Sequence, residues 1–303
     1  MKPRFELDLS QNVKQNVLRM IHEQYDQIIF FCNARNVDPD KSVHEIRKSF
    51  KRLRALLRLI RDAIGYSTYY RENSFCRDES KLLSELRDLK VFHEDLTILA
   101  EKHTSSANNQ LIEQLQETII GKKKKKYDEV MHDELFQKIA DDVDAAKERV
   151  SMFLFRYEGF SIMAPGIKRI YKKGRKELDV VRKKPNTENY HNLRKRVKYL
   201  MYFMQILNPL YPQYFKTIEK DLDNASDKLG LDHNFAELVL FVEKIDKRAA
   251  TSKVKNEFIE LIEGLRLELQ QEALQLVENI YVEPAAAFTK RVKEYFDINY
   301  TVN

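Results

Sequence analysis

Residues 42–65 read SVHEIRKSFKRLRALLRLIRDAIG, with seven arginines and lysines from Arg47 to Arg61 and no acid between Glu45 and Asp62. Wound as a helix at about 100° per residue, Arg47, Lys51, Arg54 and Arg58 fall with His44 inside an arc of about 80°. Ile46, Phe50, Leu53, Leu56, Leu57 and Ile60 occupy the opposite side, so the core-facing side is already assigned. The basic stripe must look away from that core.

The rest of the chain has the composition of a helical protein. Seven glycines and seven prolines punctuate 303 residues, and runs rich in Leu, Lys, Glu and Arg fill the spaces between them. That length buries a substantial core as one large or two medium domains. A charged fraction of 33% and a net charge of +6 give a mild bias toward anionic partners. Cys32 and Cys76 fit neither a disulfide framework nor a zinc spacing, which points to a reducing compartment. The N-terminus has no signal-peptide core, and no segment approaches the roughly 18 apolar residues of a membrane span. The expected location is cytoplasmic, with no membrane contact.

Breakers divide the chain into helical stretches at 9–36, 40–64, 79–103, 107–120, 126–157, 166–183, 187–208, 213–229, 232–249, 252–281 and 285–296. Asp38-Pro39, Pro165 and Asn186-Thr187 supply start signals. Aligning VHEIRKSFKRLRALLRLI with YHNLRKRVKYLMYFMQIL sets His44 on His191, Arg47 on Arg194, Lys48 on Lys195, Lys51 on Lys198 and Leu53 on Leu200. The offset, 191 − 44 = 147, is close to half the chain. At nearly the same offset, LSELRDLKVFHEDL matches LGLDHNFAELVLF and places Arg87-Asp88 against His233-Asn234. Two related halves are expected to meet near residues 158–165.

The second helix repeats the geometry of the first. Arg194, Lys198, Tyr202 and Gln205 share a stripe with His191, Lys195 lies beside it, and Leu193, Val197, Leu200, Phe203, Met204 and Leu207 form the apolar face. A charged helix face is usually just solvated, but such faces mix acids with bases because like charges four residues apart repel. No acid occurs from Tyr190 to Leu207. The exclusion, made twice, suggests that an external anion relieves the repulsion. Lys168, Tyr171, Lys172, Arg175 and Arg182 share a further face just upstream, with Glu177 and Asp179 nearby, and are expected to add charge there. The run Lys122–Lys126 reads as a solvated turn after Gly121. DDVD at 141–144 lacks the pattern of a calcium loop. His22, His93, His103 and His132 show no i, i+4 pairing for zinc, so no metal or other cofactor is expected.

The paired motifs resemble the two signature helices of the CHAD domain, the conserved histidine α-helical domain, and the similarity extends through LRDLKVFHEDL and the long helical spacers. The resemblance implies an all-α fold of two pseudo-symmetric four-helix bundles, residues 1–160 and 161–303 of a single domain 1–303, enclosing a central basic cleft or pore. It also implies binding of inorganic polyphosphate, with His44, Arg47, Lys48, Lys51, Arg54, Arg58, His191, Arg194, Lys195 and Lys198 as the carried-over residues. Lys168, Lys172 and Arg175 join them from the upstream face. Met201, Gln205 and the His233-Asn234 pair depart from the family pattern and imply unequal halves. Some relatives carry an N-terminal triphosphatase tunnel domain; with only a few residues before the first helix here, that hydrolysis is not expected.

The expected function is therefore polyphosphate binding without catalysis, extending to a scaffold or targeting role at polyphosphate granules. A single-stranded nucleic-acid binder is the alternative, disfavoured by a narrow cleft without an aromatic stacking platform. A phosphoryl-transfer enzyme is a third reading, with neither a magnesium cluster nor a glycine-rich loop behind it. His44 and His191 either gain charge beside an anion, tightening binding near pH 6 relative to pH 8, or bond a neighbouring helix.

Overall fold

The computed structural model describes residues 4–101, 106–132, 134–244 and 251–300. Among them all regular structure is helical: α1 (Val13–Asn33), α2 (Pro39–Leu59), α3 (Arg61–Ile64), α4 (Tyr66–Leu82), α5 (Ser84–Glu101), α6 (Ser106–His132), α7 (Leu135–Ser151), α8 (Ala164–Lys183), α9 (Thr187–Leu207), α10 (Pro212–Glu243), α11 (Ser252–Ile280) and α12 (Ala285–Asn299). Two 3-10 turns, Gly159–Ile162 and Asn208–Leu210, complete the described elements. His103 lies outside the described residues.

The start signals act as expected. Asp38 accepts a hydrogen bond from the Asp40 backbone N–H with Pro39 opening α2, and Asn186 does the same for Asn189 at α9. Each cap satisfies a backbone donor that the first turn leaves without an intrahelical partner. Interior boundaries differ from the sequence reading. The lysine run lies within α6, which passes straight through Gly121. Lys123 pairs with Asp40 at 2.5 Å and Lys126 with Glu85 at 3.0 Å, so neighbouring elements claim two of the five lysines. Residues 66–78, assigned to no helical stretch, form most of α4, and α10 continues through Gly230.

The 147-residue offset carries through the elements. Adding 147 to the limits of α2, 39 and 59, gives 186 and 206, against 187 and 207 for α9. Adding it to the limits of α6, 106 and 132, gives 253 and 279, against 252 and 280 for α11. Short α3 falls on the 3-10 turn at Asn208–Leu210, while α4 and α5 together fall on the single α10.

The apolar cores join elements far apart in the chain. The main apolar cluster runs from Val17, Ile28, Phe50 and Leu53 through Ile167, Leu200 and Phe203 to Phe288. A second cluster joins Leu96 and Leu99 of α5, Ile112 and Ile119 of α6, Phe235 and Leu238 of α10, and Phe258 and Ile262 of α11. Helices α5 and α6 therefore close that cluster with α10 and α11. Gly166 allows the start of α8 to reach the end of α2: a Cβ there would stand 2.0 Å from the Leu59 carbonyl oxygen. The contact sets α8 beside the basic helix.

Candidate functional site

The apolar faces of α2 and α9 are buried as the stripes require, and the two helices pack on each other. Their basic stripes meet at Lys51, whose repeat partner is Lys198 because 51 + 147 = 198. Lys51 is accessible to water yet crowded by protein. Loss of water first, then the charges of Arg47, Arg194, Lys198 and Arg87, bring its ammonium pKa down from 10.5 to about 7. Cations of α2 and α9 thus act on one ammonium.

Neighbouring helices aim the arginines. Arg47 donates through Nη1 to the Ser80 carbonyl at 2.6 Å, with Asp88 of α5 beside it. Arg194 lies against Gly230, where a Cβ would stand 3.1 Å from its Nη2, with Asp227 nearby. Burial lowers both guanidinium pKa values, the two aspartates oppose the shift, and both arginines stay charged near neutrality. Lys198 donates to Asp223 at 3.1 Å, and Lys48 stands 3.8 Å from Glu45. Asp88 on α5 and Asp223 and Asp227 on α10 partly answer the stripes, which the sequence of α2 and α9 alone does not show.

The surroundings of the histidines oppose their charged forms. Burial first, then Arg87, lowers His44. His191 packs against the ring of His233, centroids 4.3 Å apart, and burial with His233, Lys195 and Arg194 brings it down to about 4. His233 is lowered by burial and Arg194. Among the stripe cations, Lys51 is the one brought down to about 7.

The C-terminal half of the first stripe faces a second basic surface. Arg58 places its guanidinium 4.3 Å over the Tyr199 ring and donates to Asn73 Oδ1 at 2.7 Å, while Arg54 stands near Lys195. Arg169 of α8 bonds Asp62 and donates to the Arg58 carbonyl at 2.7 Å. Burial first, then Arg196, Arg169 and Arg61, lowers the pKa of Lys173. The acids here are few: Asp62, Glu177 at 3.7 Å from Arg196, and Glu188 near Lys195.

Not every expected residue joins these surfaces. Lys168 and Lys172 are exposed on another side of α8, and Arg175 lies beside Tyr171, which is buried and stacked on Phe288 at 4.1 Å. Arg182 is tied to Glu278 at 2.8 Å. Arg169 and Lys173, about 100° round the helix, face the basic helices instead. Their i, i+4 spacing was visible in GIKRIYKKGRKEL; the side of α8 that meets α2 was not. Tyr202 is buried edge-on against Phe5, and Leu7 N–H bonds the Ile206 carbonyl at 2.9 Å. The N-terminal segment therefore covers that end of the second stripe.

The CHAD domain family model matches residues 19–242. The chain belongs to the CHAD domain family. The family is associated with polyphosphate binding. The CHAD fold is shared with the crystal structure of the CHAD domain from the plant Ricinus communis, at 13% identity and a TM-score of 0.61, over 92% of this chain and 95% of that one. PptA from Streptomyces chartreusis is similar at 13% identity and a TM-score of 0.58, over 94% of this chain and 100% of its own. A search of curated proteins gives no match. Among the described residues, no helix of this CHAD protein is long and apolar enough to cross a membrane.

Proposed function

We propose that this protein binds inorganic polyphosphate along the basic surfaces of α2 and α9, one from each of the halves 1–160 and 161–303. The observation that carries the reading is Lys51, whose neighbours Arg47, Arg87, Arg194 and Lys198 leave cationic repulsion that a bound polyanion relieves. Arg47, Lys51, Arg194 and Lys198 form the cleft floor, with His44, Lys48 and His191 at its margin. Arg54, Arg58 and Lys195 extend the track toward Arg169 and Lys173. Arginine forks grip adjacent phosphate oxygens and lysines add point charge. Lys168, Lys172 and Arg175 lie where only an overhanging end of a long polymer reaches.

The protein holds the polymer without cleaving it, acting as a scaffold or targeting module at polyphosphate granules in the cytoplasm. Binding displaces condensed counterions, so affinity falls steeply with salt. Titrating labelled polyphosphate at about 50 and 200 mM salt should show a loss of tenfold or more. A salt-independent affinity contradicts the reading, as does phosphate release from polyphosphate with or without Mg²⁺.

A further inference from the structure

An unusual stretch borders the second basic surface. The outer side of α4 displays Tyr66 and Tyr70, 66% and 57% exposed, although large aromatic side chains normally seek burial. Their ring centroids are 6.1 Å apart, and Tyr69 also stands 6.1 Å from Tyr66. The tyrosines are set among cations. Arg61, 3.4 Å from Asp62, lies 6.0 Å over the Tyr69 ring, Tyr69 adjoins Arg58, and Tyr70 adjoins the exposed Arg77, itself paired with Asp78. One turn on, Asn73 accepts from both Arg54 and Arg58 and so binds this side of α4 to the basic stripe of α2.

Polyphosphate offers nothing for an exposed aromatic ring to hold. A ligand that joins a phosphate backbone to flat, apolar faces uses both features. We infer that the Tyr66–Tyr69–Tyr70 edge is a stacking platform for single-stranded nucleic acid, whose phosphates lie on Arg54, Arg58 and Arg61 while bases stack on the exposed rings. Charge complementarity selects a polyanion, and rings beside the guanidinium row, open on their outer side, select one with bases. A duplex hides its base faces, so the platform selects single strands. The platform that the narrow cleft lacks is thus supplied by the flank outside it. The inference shares Arg54 and Arg58 with the polyphosphate reading and differs from it in the exposed tyrosines.

The test uses the full chain and a labelled oligo-uridylate of about 12 nucleotides, measured by fluorescence anisotropy beside labelled polyphosphate at the same salt. Tyr66→Ala/Tyr70→Ala removes only exposed rings. It should weaken oligo-uridylate binding by about tenfold or more, leave polyphosphate affinity within about twofold, and be rescued by Tyr66→Phe/Tyr70→Phe. Arg54→Glu/Arg58→Glu should weaken oligo-uridylate binding whatever its effect on polyphosphate. The inference is overturned if the wild type does not bind oligo-uridylate, or binds an abasic sugar–phosphate chain of equal length equally well. It is also overturned if the tyrosine-to-alanine variant binds like the wild type. Failure of polyphosphate binding alone strikes the earlier reading and leaves this one standing.

Discussion

Lys51 is where sequence and fold act together on one atom. On α2 it is one stripe cation among several; against α9 it meets Arg194 and Lys198, and its pKa comes down to about 7. A bound polyanion raises that pKa again, so binding takes up a proton above about pH 7 and weakens as pH rises. Polyphosphate affinity should therefore be higher at about pH 6 than at pH 8, and Lys51→Arg, charged throughout, should flatten the profile. An undiminished pH dependence in Lys51→Arg would return the effect to the histidines. The sign for folding is opposite. Between about 7 and 10.5 the unfolded chain holds the Lys51 proton and the empty folded chain does not, so this residue adds stability as pH rises. Lys51→Met should raise the thermal midpoint below pH 7 while weakening binding. Gly230 offers a gentler probe: Gly230→Ala favours the α10 helix by about 1 kcal/mol but displaces the Arg194 guanidinium. Titration should find weaker polyphosphate binding in a protein at least as heat-stable. Unchanged affinity would remove Arg194 from the contact.

At the scale of elements, strong periodicity made the basic helices legible. The apolar residues assigned to α2 and α9 are buried and both polar caps are in place. The reading missed most of α4 because it has little apolar stripe: its buried residues are Glu72, Cys76 and Glu79. Glu72 is matched by Arg149 of α7 at 3.2 Å, a long-range partner that no local pattern announces. Gly121 and Gly230 read as breakers, yet a helix with partners on its flanks carries a glycine at a cost of only about 1 kcal/mol. The acids Asp88, Asp223 and Asp227 reach the basic stripes from α5 and α10, so their role was fixed by how helices cross. One such crossing is open to test. Buried Asp232 of α10 accepts from Arg266 of α11 at 3.0 Å, and Arg266 also donates to Thr187 at the start of α9. Asp232→Ala leaves Arg266 with Glu263 as its remaining carboxylate and takes the acceptor from Gln270, and should cost about 1–3 kcal/mol in urea unfolding. A loss below about 0.5 kcal/mol would show the pair to be dispensable.

At the scale of the molecule, the repeat does two jobs. It builds shared cores, with α5 and α6 closing on α10 and α11, and it brings two cationic stripes to one seam. Both stripes were visible in the sequence. That Lys51 and Lys198 face one space depends on how the halves pack, which no window of sequence encodes. The added cations Arg61, Arg169, Lys173 and Arg196 were hidden for the same reason. The central claim is that this seam holds the polymer. Its direct test is polyphosphate binding to an Arg47→Glu/Lys51→Glu/Arg194→Glu/Lys198→Glu variant, checked for folding by circular dichroism and compared with the wild type at one salt concentration. Binding that collapses in the folded variant is the predicted result; a folded variant that binds as tightly as the wild type would contradict the account.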